Sequence, residues 1–541
     1  MTSRVTHSTL PLPTGFAWGV VFWVLFSCVA VVLRGVRWEE TYENALVISR
    51  LVPYPEGHPI FLFFRNLFSA QAYLSAALVR LFPEPLPING ARNVAYLAFT
   101  TVPVFVLATV LARGALAGYA AVALVLLGAY LNLDSYYPLN TWPTFYSNGH
   151  IGRGWALLAL GLLVARRWRA AYLMTGLLAC VHLGHLPVLL LVALACVAWL
   201  WRQGDHGAAR QAALCGGAGL AVSALLWLGH ALLFKVEPPV TGPYAVAGDG
   251  LAILRDYLPL HDVHRGFPRF GPFAHSVLAT VAVLLLCGAA ISGSAERRRR
   301  YGWLALYGAA VAMVVFGTKG LHAALGDELP YAFLRWMPYR LTNHLAVLLT
   351  PVACALLWRP GTRWVLAGIL ACAAALPLLH WGLPEALYAR YAAPEEWLSY
   401  VLAGGAWAAV TGRYGRRWGY WAVTLLAVGV LGTDTRYGAV CVAVAWGGGL
   451  AFQALTRLGC ESGEVDGKHE HDVVPARTVF VVALLVGMLL ATMLWQQWRT
   501  REHLPRTAIQ REVKAYLDQA GERDAMLLTP VSYTHLRAHE T

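Results

Sequence analysis

The sequence predicts an all-α polytopic membrane protein, on three observations. Apolar runs of roughly 18–20 residues, the length that crosses a bilayer as helix, recur from Gly15 to Trp495. Hydrophobic residues make up 58% of the chain and charged residues 13%, where an ordinary soluble domain carries about 25% charged residues. The mean hydropathy is +0.53, and the alternating apolar/polar pattern of an outer-membrane barrel is absent.

Taken in order, a polar N-terminus (1–14) precedes a first span at 15–33. No small-residue cleavage site follows it, so it reads as a retained span and not a removed signal. Further spans are expected near 93–112, 114–131, 149–165, 170–184, 187–201, 212–234, 273–292, 301–317, 340–358, 363–380, 397–411, 418–432, 437–456 and 476–495. With short pairs merged, this gives about 13–15 transmembrane helices in a domain covering 15–495.

Charge sets the expected orientation. The net charge of +13 lies in short clusters between apolar runs: Arg113, Arg166-Arg167-Arg169, Arg202/Arg210, Arg297 to Arg300, Arg359/Arg363 and Arg413-Arg416-Arg417. The positive-inside rule makes these turns cytoplasmic. No basic soluble domain exists for nucleic acid to bind. Alternation then puts 132–148, 235–272, 318–339, 381–396, the Asp434 turn and the C-terminal tail outside. The scheme is consistent only if 34–92 forms one large first external loop, so that 57–82 does not cross. Arg65, Ser69, Tyr73 and Arg80 form a polar stripe along 60–82, which predicts an interfacial amphipathic helix. A second such helix is expected over 38–52, with Trp38, Tyr42, Ala45, Ser49 and Val52 on one face and the Pro53-Tyr54-Pro55 turn after it.

Eight of the nine cysteines lie in apolar runs, and Cys460 has no CxxC partner, so neither a zinc site nor a disulfide framework is indicated. The cytoplasmic loop 457–475 contains His469-Glu470-His471-Asp472 but reads as a solvated linker and not a metal site. No GxGxxG or GxxxxGK[ST] phosphate loop is present, which argues against ATP-driven transport by this chain alone. Residues 496–530 read as the start of a truncated external α/β domain, with a helix and then a strand-like Ala525 to Leu528. From Val531, VSYTHLRAHET resembles a translated sequencing-adaptor tail, and the natural protein is expected to continue past Pro530.

The polar groups that could carry chemistry collect on the expected external side. Glu39 and Glu40 have two readings: a solvated helix start favoured by the helix dipole, or a general base or metal-binding carboxylate at the water–lipid boundary. Asp134, His150 and Arg153 flank an aromatic loop, and His182 and His185 approach Pro187 at a tight hairpin. Lys319, Asp327, Glu328, Arg335 and Arg340 occupy the loop before a later span. Singly, such histidines read as hydrogen-bonded helix ends and such arginines as snorkelling side chains. Together, external carboxylates, arginines and Tyr/Trp-rich loops suit a lipid phosphate joined to a polyhydroxylated group.

Trp38-Glu39-Glu40-Thr41-Tyr42, followed by Gly57-His58-Pro59-Ile60, resembles the acidic-pair-then-Tyr motif and His/Pro element of the GT-C superfamily of membrane glycosyltransferases. This superfamily includes protein O-mannosyltransferases and aminoarabinose transferases. Pro338-Tyr339-Arg340 at the outer end of a span and the closing Leu528-Thr529-Pro530 are similar to members of the same group. Both carboxylates are Glu where the family usually includes Asp, and the WWDYG-type motif of oligosaccharyltransferases is missing.

The resemblance implies a multi-pass protein of a bacterial cytoplasmic membrane, with its N-terminus inside and its C-terminus external. It also implies an inverting sugar transfer from a polyprenyl-phosphate-linked donor. Glu39 or Glu40 would be the catalytic base, and Arg340, Arg335, Arg153 and Lys319 the donor-phosphate ligands. Tyr42, His58, Asp134 and His150 would bind substrate. No cofactor is certain; a divalent metal, Mg or Mn, on Glu39/Glu40 and Asp134 is one option. Two other activities fit the same layout: a glycan ligase or polymerase, and a transporter or flippase for an amphipathic substrate. A transporter would be expected to carry mid-span charges and inverted repeats, and the sequence offers few of the former and no evident case of the latter.

Overall fold

Within a bilayer the backbone must satisfy its own hydrogen bonds, which leaves helices or closed barrels. The computed structural model is helical throughout its described residues and has no strand among them. It describes residues 12–34, 36, 40–51, 66, 68–82, 85–131, 148–235, 272–293, 295–325 and 338–359, isolated positions over 362–370, and 402 and 406. Apart from 402 and 406, the expected spans beyond 380, the 457–475 loop and the expected α/β segment 496–530 lie outside this set.

The helices are α1 (Phe16–Arg34), α2 (Glu40–Ser49), α3 (Ala70–Leu81), α4 (Pro85–Ala112), α5 (Ala115–Leu131) and α6 (Asn148–Val164). They continue as α7 (Trp168–Val181), α8 (Leu186–Arg202), α9 (His206–Leu233), α10 (Pro272–Gly293), α11 (Ala295–Leu325) and α12 (Thr342–Leu357). Short 3-10 turns precede α8 (Leu183–His185) and α12 (Pro338–Leu341). Among the described residues, five segments are long and apolar enough to cross a membrane: Phe16–Leu33, Leu86–Ala112, Leu183–Arg202, His206–Leu233 and Arg297–Thr318. Shorter apolar helices lie at Ala115–Leu126, Gly149–Val164, Trp168–Val181, Thr280–Ile291 and Thr342–Leu357. This is a membrane protein. Its outer surface agrees, since Leu225, Leu228, Leu232 and Leu233 of α9 and Trp18, Leu25 and Val32 of α1 are exposed.

The helices run alternately between two ends of a bundle. One end gathers the arginine-bearing turns. Arg300 Nη1 donates to Leu111 O at the close of α4 at 2.7 Å. Arg113 and Arg299 act electrostatically on Arg166 in the α6–α7 turn. The other end carries the first loop, α2 and α3. Gln71 of α3 donates to Val181 O at the close of α7 at 3.2 Å, and Tyr73 bonds His230 near the close of α9 at 2.6 Å. The first-loop helices and the arginine turns therefore sit at opposite ends, the separation that the charge pattern requires.

Helix α3 matches the expected amphipathic helix only in part. Its Ala72, Ala76 and Val79 pack with Ala45 and Ile48 of α2 and Ile88 of α4. Of the expected polar stripe, Ser69 is buried and Tyr73 turns to His230, while Arg80 is exposed and its Nη2 donates to Ser49 O at 3.1 Å. Leu74 and Leu81 face outward as well, at 63% and 72% exposure. The outward side of α3 therefore carries both polar and apolar residues.

In the core, α4 and α6 interlock through small residues. Pro103 has no N–H to donate to the Phe99 carbonyl one turn earlier. That carbonyl occupies the place where a Cβ on Gly154 of α6 would stand. A helix pair with a glycine at the contact can approach closely enough to accommodate the released carbonyl, as small residues do in membrane bundles. The α7–α9 pair uses the same device: a Cβ on Gly219 would lie 2.6 Å from Leu173 O, and Ser223 donates to Gly176 O at 2.9 Å.

Candidate functional site

At the first-loop end, the starts of α6, α8 and α12 meet the middle of α11, and their polar side chains form one buried chain. His185 Nε2 lies 3.1 Å from Gly149 O. His344 Nε2 lies 3.0 Å from His185 Nδ1. Tyr307 Oη bonds His344 Nδ1. His182 stacks on His185 with ring centroids 4.2 Å apart and planes 19° from parallel.

One carbonyl sets the direction of the whole chain. Gly149 O can only accept, so His185 Nε2 carries the hydrogen. A neutral His185 then accepts at Nδ1, which assigns the hydrogen of His344 to its Nε2. His344 Nδ1 is thereby an acceptor, and the Tyr307 hydroxyl donates to it. Two neutral imidazoles and a phenol thus satisfy one another in a site where a bare polar group would be costly.

Arg153, on the same helix as Gly149 and one turn further in, is only 6% exposed. Its guanidinium lies within electrostatic reach of both His185 and His344. Gly152 makes the arrangement sterically feasible. A Cβ there would run into the Cβ of His182 and stand 2.7 Å from His185 Cδ2.

A second polar cluster fixes the first loop above this end. Arg92 of α4 is buried and donates to Ser75 Oγ of α3 at 2.7 Å and to Tyr96 Oη at 2.8 Å. Phe68, Tyr73, Trp227, His230 and Phe234 form an aromatic group joining α3 to α9, with Phe68 and Trp227 centroids 4.7 Å apart.

Of the residues singled out in the sequence, His185 belongs to the His–His–Tyr chain, Arg153 lies within electrostatic reach of it, and His150 is half-buried at the start of α6. Glu40 and Tyr42 fall on the backbone of α2, Lys319 on α11, and Arg340 in the turn preceding α12. Glu39, His58, Asp134 and Arg335 lie outside the described residues. No group of three His, Cys, Asp or Glu suited to a metal occurs among the described residues. Sequence reasoning missed Tyr307 and His344. The available signal was Thr342-Asn343-His344, three polar residues opening an otherwise apolar helix, and all three are buried.

Comparison with known proteins yields no match: no protein-family model, curated protein or solved structure corresponds to this chain.

Proposed function

We propose that this protein is a membrane glycosyltransferase that moves a sugar from a polyprenyl-phosphate-linked donor to a lipid, glycan or protein acceptor at the first-loop end of the bundle. That end would face the exterior of a bacterial cytoplasmic membrane. The observation that supports this best is the buried Arg153, with its His185–His344–Tyr307 chain, at the same end as α2, which begins at Glu40, and the turn bearing Arg340. A rigid polar floor with a fixed positive charge beneath an acidic, aromatic loop suits a lipid phosphate and a sugar.

In this scheme the acceptor oxygen attacks the anomeric carbon while the bond from that carbon to the phosphate oxygen breaks. Glu39 or Glu40 takes the acceptor's proton, and polyprenyl phosphate departs, inverting the anomeric centre. Arg340, with Arg335 and Lys319, holds the departing phosphate. Arg153 contributes positive potential from below, where low dielectric extends its reach. Tyr42, His58, Asp134 and His150 bind the sugar, and Mg or Mn on Glu39/Glu40 and Asp134 is an optional addition.

The buried ionisable groups Arg153, His185 and His344 within the bundle also favour a second reading, a transporter or flippase for an amphipathic substrate, because such groups often line substrate pathways. Cell-surface glycans of cells expressing wild type, Glu39→Gln, Glu40→Gln or Arg340→Ala separate the two. Transferase activity predicts loss of a glycan product in at least one variant. Full product in all three refutes the site assignment, and unchanged glycans on deletion, with altered export, would favour transport.

A further inference from the structure

The arginine end holds a second feature that the proposed reaction does not use. Turns α4–α5 and α6–α7 close in the same way. Gly114 N bonds Thr109 O, Arg167 N bonds Leu162 O, and Arg166 N bonds Leu163 O. Both turns share the longer bond, to which the α6–α7 turn adds the shorter one, and this closure puts the residue after the helix in the left-handed region, where glycine is the ordinary occupant. The α8–α9 turn follows that rule with Gly204 at φ 77°. The other two turns have Arg113 and Arg166, both at φ 57°. The chain thus accepts a strained arginine at two neighbouring turns and a glycine at the third.

These two arginines converge with the start of α11. Arg297 to Arg300 stand there in an unbroken run after Glu296. Arg300 is tied to the close of α4 by its bond to Leu111 O. Burial, then the like charges of Arg299 and Arg113, hold the Arg166 guanidinium below its ordinary pKa. Arg167 Nε is buried with no hydrogen-bond partner among the described residues. The acidic side chain described at this end, Asp205, already accepts from Ala208 N at 3.1 Å as the cap of α9. Cations gathered at the end of a membrane bundle meet the headgroup layer.

We propose that Arg113, Arg166 and Arg299 form a phosphate-binding site at the arginine end, taking the phosphate of an anionic lipid headgroup. Guanidinium groups from two turns and the start of α11 can bond several oxygens of one phosphate and offset their mutual repulsion. Free inorganic phosphate has the same chemistry, so the test carries an arm for each source.

Glycine is the informative substitution, since it removes the guanidinium and relieves the backbone at the same time. The full chain is reconstituted in nanodiscs of phosphatidylcholine alone or with phosphatidylglycerol, and thermal unfolding and native-mass-spectrometric lipid retention are measured. An Arg113→Gly/Arg166→Gly protein should unfold in phosphatidylcholine at the wild-type temperature or above. Its retention of phosphatidylglycerol should fall roughly thirtyfold, about fivefold for each charge removed. Arg50→Gly serves as the control, because Arg50 has the same backbone conformation, φ 58°, at the other end and should leave retention unchanged. Titration of inorganic phosphate in phosphatidylcholine discs is the second arm. Stabilisation there that the double substitution abolishes would support the phosphate site but overturn the lipid as its source. Equal phosphatidylglycerol retention and equal phosphate response in wild type and the double variant would overturn the site altogether.

Discussion

Gly152 decides whether His182 and His185 can stack and whether His185 can reach both Gly149 and His344. Alanine at this position puts a methyl group into two imidazoles at once. Gly152→Ala is therefore expected to cost about 1–3 kcal/mol, the range for overpacking a well-filled interior, and thermal unfolding of the purified protein would measure it. An unchanged unfolding temperature would mean that the two rings are not held as described. Arg153, His182 and His185 were legible in the sequence because polar residues near the ends of apolar helices stand out. Tyr307 was not, since a tyrosine within an apolar run carries no local mark of its partner, and its link to His344 spans a sequence separation of 37 residues. Gly152 is equally silent, since its role depends on which rings a different hairpin brings against it.

At the level of elements, apolar helices were legible because bilayer thickness imposes a length: α5 to α8, α10 and α12 fall within a few residues of expected spans, while α9 starts earlier, at His206, and α11 overruns 301–317 at both ends. Helix α4 begins earlier than expected, at Pro85, because the polar Asn89, Arg92 and Asn93 are buried under the first loop and continue the helix there. The facing of α3 was legible only in part, since Arg80 is exposed while Tyr73 turns to His230. Helical periodicity reports that two faces differ, and whether the polar one meets water or protein depends on the helix packed beside it. The Tyr73–His230 bond and the Gln71 bond to Val181 O hold α3 across the ends of α7 and α9. Tyr73→Phe combined with Gln71→Leu should release that hold, raising amide hydrogen exchange over 70–81 while α7 and α9 remain protected. Equal exchange in wild type and variant would assign the docking of α3 to its contacts with α2 and α4 alone.

The whole molecule separates two chemistries along its length. One end carries the arginine turns, and the other carries the first loop, Arg153 with its imidazole chain, and the turn of Arg340. Charge counting along the chain anticipated this polarity, because the positive-inside rule acts on short loops that are visible in sequence. It could not anticipate that the first-loop end is floored by a closed hydrogen-bond chain, which arises only when four helices meet. The proposed sugar transfer occurs at that end through the acidic pair on the first loop. The most direct test is turnover of a polyprenyl-phosphate-linked sugar by the purified full-length protein in nanodiscs, wild type against Glu39→Gln/Glu40→Gln. The account predicts release of polyprenyl phosphate by wild type and a fall of about 10²–10⁴-fold in the double variant, the contribution of a general base. Wild-type turnover retained by the double variant, or no turnover of any such donor by wild type, would contradict it.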